Sequence, residues 1–282
     1  MGFEIVDLGI AASVFLGLYL CFFGLAVYAI TQKGFKSVYS WFFFYGIVRT
    51  GGQVSGVGFA IAGETHYQWL IAYMVMSVEG YFALVMASLY ILCIEQKRVW
   101  GVSPLETPFI TIRGAKRSYK SLFHLILVPG NALLIAGGCM LTGLTVQQLA
   151  NNHSKIVTSR ALRTTGQAIF LVQSLSVSAL SIHSYFFKNL RSVSMKMLLV
   201  IIPFITMRGV YGLVSIYIDK MDYFLISNYI SIANHKDMTI YEYTLGTSME
   251  FISAFVMVNT VWFSKGPINE DTGGLSDGDS KV

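Results

Sequence analysis

The chain has 282 residues, of which 54% are hydrophobic and only 12% charged, and its mean hydropathy is +0.60. Soluble globular domains carry about 25% charged residues, so composition excludes an ordinary soluble fold and implies a membrane-embedded one. The formal net charge of +5 lies mostly in short segments between apolar runs, which makes it a topology signal rather than a nucleic-acid surface. The three cysteines, Cys21, Cys93 and Cys139, all fall inside apolar runs, so no disulfide framework is indicated.

About 20 apolar residues suffice to cross a hydrocarbon core, and seven such runs follow one another. They cover roughly Leu8–Ile30, Tyr39–Ala62, Trp69–Ile94, Leu122–Leu144, Ala161–Phe187, Met197–Ile218 and Tyr241–Phe263. Helices are predicted throughout, because lipid admits only helices and closed barrels and the alternation of a barrel strand is missing. The first run follows the acidic Glu4 and Asp7 and precedes its own positive charges, so it reads as an anchor rather than a removable signal peptide.

The first, third and fifth loops and the tail hold 13 of the 20 Lys and Arg residues, including Lys97, Arg98, Arg113, Lys116, Arg117 and Lys120. The opposite side holds Lys155, Arg160, Lys220 and Lys236. This asymmetry puts the N-terminus outside and the C-terminus in the cytoplasm. The sequon Asn152-His153-Ser154 lies on the predicted outer side, where Asn152 is a candidate glycosylation site. Residues 1–264 form one seven-helix domain, and the Gly-, Ser- and Asp-rich residues 265–282 are expected to be a disordered cytoplasmic tail.

Four charges interrupt the spans: Arg49, Glu79, Arg208 and Glu250. Each costs roughly 2.5–3.5 kcal/mol at mid-bilayer if unpaired, so partners are required. The surroundings of the two glutamates match, with Ser77, Glu79, Ala83, Val85 and Met86 answered by Ser248, Glu250, Ala254, Val256 and Met257. Small residues also follow both arginines three to four and seven places later on one helical face, Gly52 and Gly56 after Arg49 and Gly212 and Ser215 after Arg208. These correspondences predict a parallel 3+1+3 internal repeat, with repeat A over about 8–94, a connector helix over about 122–144 and repeat B over about 161–263.

Two arginines and two glutamates sum to zero charge and are expected to form two ion pairs, either a midplane ligand site or an interlock between the halves. The fifth span, with Arg163, Thr164, Gln167, Gln173 and a run of serines, is too polar to face lipid. Gln53, Arg163, Gln167 and Tyr211 are therefore expected to support the charged centre. The aromatic sixth loop, with Tyr223, Phe224 and Tyr229, reads as an interfacial segment in preference to a lid.

Nothing in the sequence marks an enzyme. His124 and His183 stand alone on separate spans, so neither a metal site nor another cofactor is expected. The last span has no lysine for a retinal Schiff base. The usual receptor triplet is missing from the end of the third span, which reads Cys93-Ile94-Glu95-Gln96-Lys97.

Arg49, the segment Met207-Arg208-Gly-Val-Tyr211-Gly-Leu-Val-Ser215, and Met249-Glu250-Phe251-Ile252 resemble a fungal family of seven-helix membrane proteins carrying a domain-of-unknown-function label. Glu79 departs from that pattern. A weaker similarity is to the fungal lipid-translocating exporters. These resemblances imply a seven-helix fold but no substrate. The leading expectation is a non-enzymatic binder or carrier of a small amphiphile or lipid in the plasma membrane or a secretory endomembrane, with membrane lipids as partners. A receptor-like sensor coupled to a cytoplasmic partner, or a structural membrane component, are the alternatives.

Overall fold

The computed structural model describes residues 2–112, 115–141, 152–225, 228–229 and 235–263. Arg113, residues 142–144 of the predicted connector and the tail 265–282 lie outside the described residues. Among the described residues, seven long helical runs follow in chain order. They are α1 (Val6–Lys33), α2 (Tyr39–Ala62), α3 (Gln68–Trp100), α4 (Tyr119–Cys139), α5 (His153–Phe186), α6 (Val193–Val214) and a composite α7. The last begins as α-helix at His235–Tyr241, widens to π-helix over Glu242–Thr247, returns to α-helix over Ser248–Val258 and ends as 3-10 helix at Asn259–Trp262.

Five of the seven, α1, α3, α4, α5 and α6, are long and apolar enough to cross a membrane, as an integral membrane protein requires. α2 falls short in hydropathy because it carries Arg49, Gln53 and five glycines, and α7 is broken by its π turn. The outer surface is apolar: Ile10, Val14, Val54, Val172, Val200 and Val210 are all exposed. Polar side chains such as Arg49, Arg163, Arg208 and Glu250 are instead buried. That inside-out distribution suits a bundle whose solvent is lipid.

α3 is the central element, packing against α2, α4, α5, α6 and α7, and most of its apolar stretch is buried. Close approach of neighbouring helices is set by small residues, the usual device in lipid. At Gly166 a side chain would meet the Gly130 carbonyl oxygen at 2.6 Å, and at Gly56 it would press on the Tyr73 ring at 3.2 Å. Local signals set several ends. Ser118 and Ser192 cap α4 and α6 by accepting from the Ser121 and Met195 amides, and Gly101 ends α3 in the left-handed conformation.

The third loop is not pure loop. Pro108–Ile112 and Ala115–Ser118 form a two-stranded antiparallel hairpin, a small addition to the expected all-α architecture. The stretch Phe109-Ile110-Thr111-Ile112 has the β-branched composition that favours a strand. Glu106 tethers the hairpin base, with Lys97 Nζ and Lys120 Nζ each 2.7 Å from its carboxylate. Partial burial pushes the Glu106 carboxyl up, but Lys120 and Lys97 outweigh it and hold the group below its ordinary range. Its stabilising effect is therefore present above the ordinary carboxylate range and lost as pH falls through the depressed value.

E106Q, or acidification of the wild type, should increase proteolytic cleavage within residues 101–118 while leaving the helical bundle intact. Unchanged cleavage in both cases would show that this tether contributes nothing.

Candidate functional site

α2, α6 and α7 meet at a single carboxylate. Glu250 is fully buried; Arg49 Nη2 donates to its Oε2, and Arg208 Nε donates to its Oε1 at 2.5 Å. Arg49 is 2% exposed and Arg208 4% exposed. Arg49 Nη1 also donates to Ser77 Oγ on α3 at 3.3 Å. Gly80, one turn along α3, leaves room for this crossing: a Cβ there would stand 2.5 Å from Arg49 Nε. Aromatic faces complete the cation shells, with the Arg208 guanidinium 5.0 Å from the Tyr81 ring centre and that of Arg49 6.0 Å from Tyr19.

A second acid belongs to the same centre. Arg49, Ser77, Arg208, Tyr211, Tyr223, Glu242, Gly246, Thr247 and Glu250 line one partly open cavity of about 210 Å³. Glu242 accepts from the Tyr73 hydroxyl at 2.5 Å. In a regular α-helix, eight residues would turn Glu242 about 80° away from Glu250. The π turn between them takes more residues per turn and swings both onto one face. Its carbonyls find side-chain partners: Ser248 Oγ donates to the Tyr243 carbonyl at 2.6 Å, and Tyr19 OH to the Thr247 carbonyl at 3.3 Å. Such π segments are costly and concentrate at functional sites.

The centre is incompletely satisfied. Arg49 Nε, Arg208 Nη1, Tyr211 OH and Glu242 Oε2 are buried without a hydrogen-bond partner. Buried polar atoms are ordinarily paired, so four orphans around one cavity ask for a further partner.

The four sequence-singled charges do not form two pairs. Arg49, Arg208 and Glu250 come together, whereas Glu79 is half-buried on another face and accepts from Asn131 Nδ2 of α4 at 2.6 Å. Ser77 points at Arg49, and two residues along a helix is about 200° of rotation, so Glu79 faces away. Glu242 takes the place assigned to Glu79.

The supporting residues divide similarly. Gln53 accepts from Tyr243 OH at 3.0 Å, beside the centre. Tyr211 lines the cavity and stacks on Tyr223 with ring centres 6.2 Å apart. Gln167 lies one helix away, donating to the Gly209 carbonyl at 3.3 Å. Arg163 forms its own buried bidentate pair with Asp222, at 2.6 and 2.9 Å. Asn152 stands just before α5. The aromatic residues of the sixth loop are also inside rather than interfacial: Tyr223, Phe224 and Tyr229 are buried. The Arg163–Asp222 pair and the 2.7 Å Arg160–Asp219 pair hold that segment against the N-terminal part of α5, turning its rings inward.

Glu242 and Asp222 were the residues that sequence reasoning missed. Both had a signal. Glu242, Gly246 and Glu250 recur every fourth residue, and the Arg160/Arg163 spacing matches Asp219/Asp222.

E250Q should lower stability by about 3–5 kcal/mol, because it strands two buried cations. E79Q, which keeps an acceptor for Asn131, should cost about 1 kcal/mol or less. Thermal melting of the purified variants in detergent decides this; equal losses would contradict the shared role of Glu250. Compared with protein families and with curated proteins, the chain matches no family model and no curated sequence, so the chemistry of this centre is read from its own geometry.

Proposed function

We propose that this protein binds or carries a small amphiphile or lipid whose anionic or polar head enters the Arg49/Arg208/Glu250 cavity. One observation carries the reading: orphaned donors on Arg49, Arg208 and Tyr211 and an orphaned acceptor on Glu242 surround unfilled space in the middle of the bundle. Arg49 and Arg208 engage the head, while Glu250 and Glu242 balance their charge. The accompanying topology has seven spanning helices, an outer N-terminus and a cytoplasmic C-terminus, in a plasma or secretory-pathway membrane. The 3+1+3 repeat is retained as an account of origin, supported by the sequence correspondences around Glu79 and Glu250. In that account the second copy keeps the charged role and the first has turned to α4.

A structural reading has its own support, since Glu250 clamps α2, α6 and α7 together. Binding separates the two. In native mass spectrometry of detergent-solubilised protein, a long-chain carboxylate and an anionic lysolipid should be retained over a long-chain alcohol. R208Q should weaken retention of the anionic probes by about tenfold or more, the usual size of a lost charge-assisted hydrogen bond. Equal retention by wild type and R208Q would leave only the clamp. For topology, Asn152 should carry an endoglycosidase-sensitive glycan lost in N152Q; a tag at the C-terminus should be accessible only from the cytoplasmic side.

A further inference from the structure

The cavity has a neighbour. Val85, Ser88, Ser174, Val177, Ser178, Ser181, Leu198, Ile201, Ile202 and Ile205 line a partly open groove between α3, α5 and α6 of about 280 Å³. Its serines look polar in the sequence but are spent locally. Ser88 Oγ donates to the Leu84 carbonyl at 2.9 Å, and Ser178 and Ser181 donate to the Ser174 and Val177 carbonyls at 2.8 Å. What remains facing the groove is narrow and aliphatic, with small residues making the room.

Groove and cavity lie end to end on the same two helices. On α3, Ser77 lines the cavity, Tyr81 follows one turn later, and Val85 and Ser88 line the groove after that. On α6, Arg208 and Tyr211 line the cavity, and Ile205, Ile201 and Leu198 continue the same row into the groove. From Arg208 to Leu198 is about 15 Å along the helix axis. On α3, Tyr81 stands between the two spaces. Tyr81 packs its ring under the Arg208 guanidinium and points its hydroxyl at the Ile205 carbonyl, 3.4 Å away. That long contact, the stack on Phe170 and the Ser174 hydroxyl hold the ring, which must turn aside to join the two spaces.

Resting on the function proposed above, we infer that the ligand is a single-chain aliphatic carboxylate. Its head lies against Arg208 and Tyr211, its tail lies in the α3/α5/α6 groove, and Tyr81 is the partition displaced on binding. Two oxygens of a carboxylate answer the free Arg208 Nη1 and Tyr211 OH. A dianionic phosphate would meet Glu250 and Glu242 in the same small space, so a single negative charge is favoured. In a bilayer the tail gains no hydrophobic free energy by leaving lipid for the groove. The head therefore supplies affinity, and the groove supplies selectivity for one unbranched chain.

The test uses dodecanoate carrying a diazirine at its terminal carbon, with purified full-length protein in neutral detergent. After illumination, peptide mapping should place the label within residues 174–181 and 198–205. S178F, which fills the groove, should reduce that labelling at least tenfold, yet hexanoate, which has a head but little tail, should raise the melting temperature of S178F as it does the wild type. R208Q should lose both responses. I202F at the groove rim repeats the experiment if S178F does not fold. Label spread over lipid-facing residues such as Val172, Val200 and Val210, or label unaffected by groove filling while hexanoate still acts, would overturn the tail site and leave the charged centre standing. Loss of every distinction between R208Q and wild type would overturn both.

Discussion

One buried carboxylate organises this protein. Glu250 receives Arg49 from α2 and Arg208 from α6, so helices from both halves of the chain are joined at one buried point. Uncompensated, either guanidinium would be expensive in the middle of a lipid-facing bundle. The requirement that both be neutralised fixes the rotation of each helix about its axis. It also explains the local features around it. Gly80 is small because Arg49 crosses α3 there, and Tyr19 and Tyr81 offer ring faces to the remaining cationic surface. The π turn of α7 brings a second acid into range.

Sharing one acid between two arginines has a chemical consequence. Two guanidinium forks offer ten N–H donors to the few acceptor positions of one carboxylate, so donors are left over. Arg49, Arg208, Tyr211 and Glu242, each with a polar atom left unpartnered, line the same cavity. The aromatic segment after α6 closes over them, tied by Arg163–Asp222 and Arg160–Asp219 to the start of α5. Stability and reactivity thus come from the same imbalance.

Much of the fold was legible because lipid leaves few choices. Apolar runs coincide with all seven helical runs, although five of them are long and apolar enough to cross a membrane, and the small residues after Arg49 and Arg208 do mark close helix contacts, as Gly52, Gly56 and Gly212 show. The helix ends were less legible. α3 continues to Trp100 and α5 starts at His153, because hydropathy registers the hydrocarbon boundary and not the hydrogen-bonded helix that runs past it. The hairpin at 108–118 was hidden for a similar reason, its strand signal being only a few residues long.

Composition and spacing by themselves determined that the chain is a helical membrane protein with buried charge at Arg49, Arg208 and Glu250, since the cost of exposing those groups to lipid holds for any packing. Only the tertiary structure decided who pairs with whom. Glu79 and Glu250 have similar neighbours in sequence, yet one faces Asn131 and the other both arginines. Glu242 looked like the edge of a span and lies instead beside the centre. Pairing depends on helix rotation, and a local widening such as the π turn shifts that rotation by most of a residue. Linear spacing carries no record of such a shift until the neighbouring helices are in place.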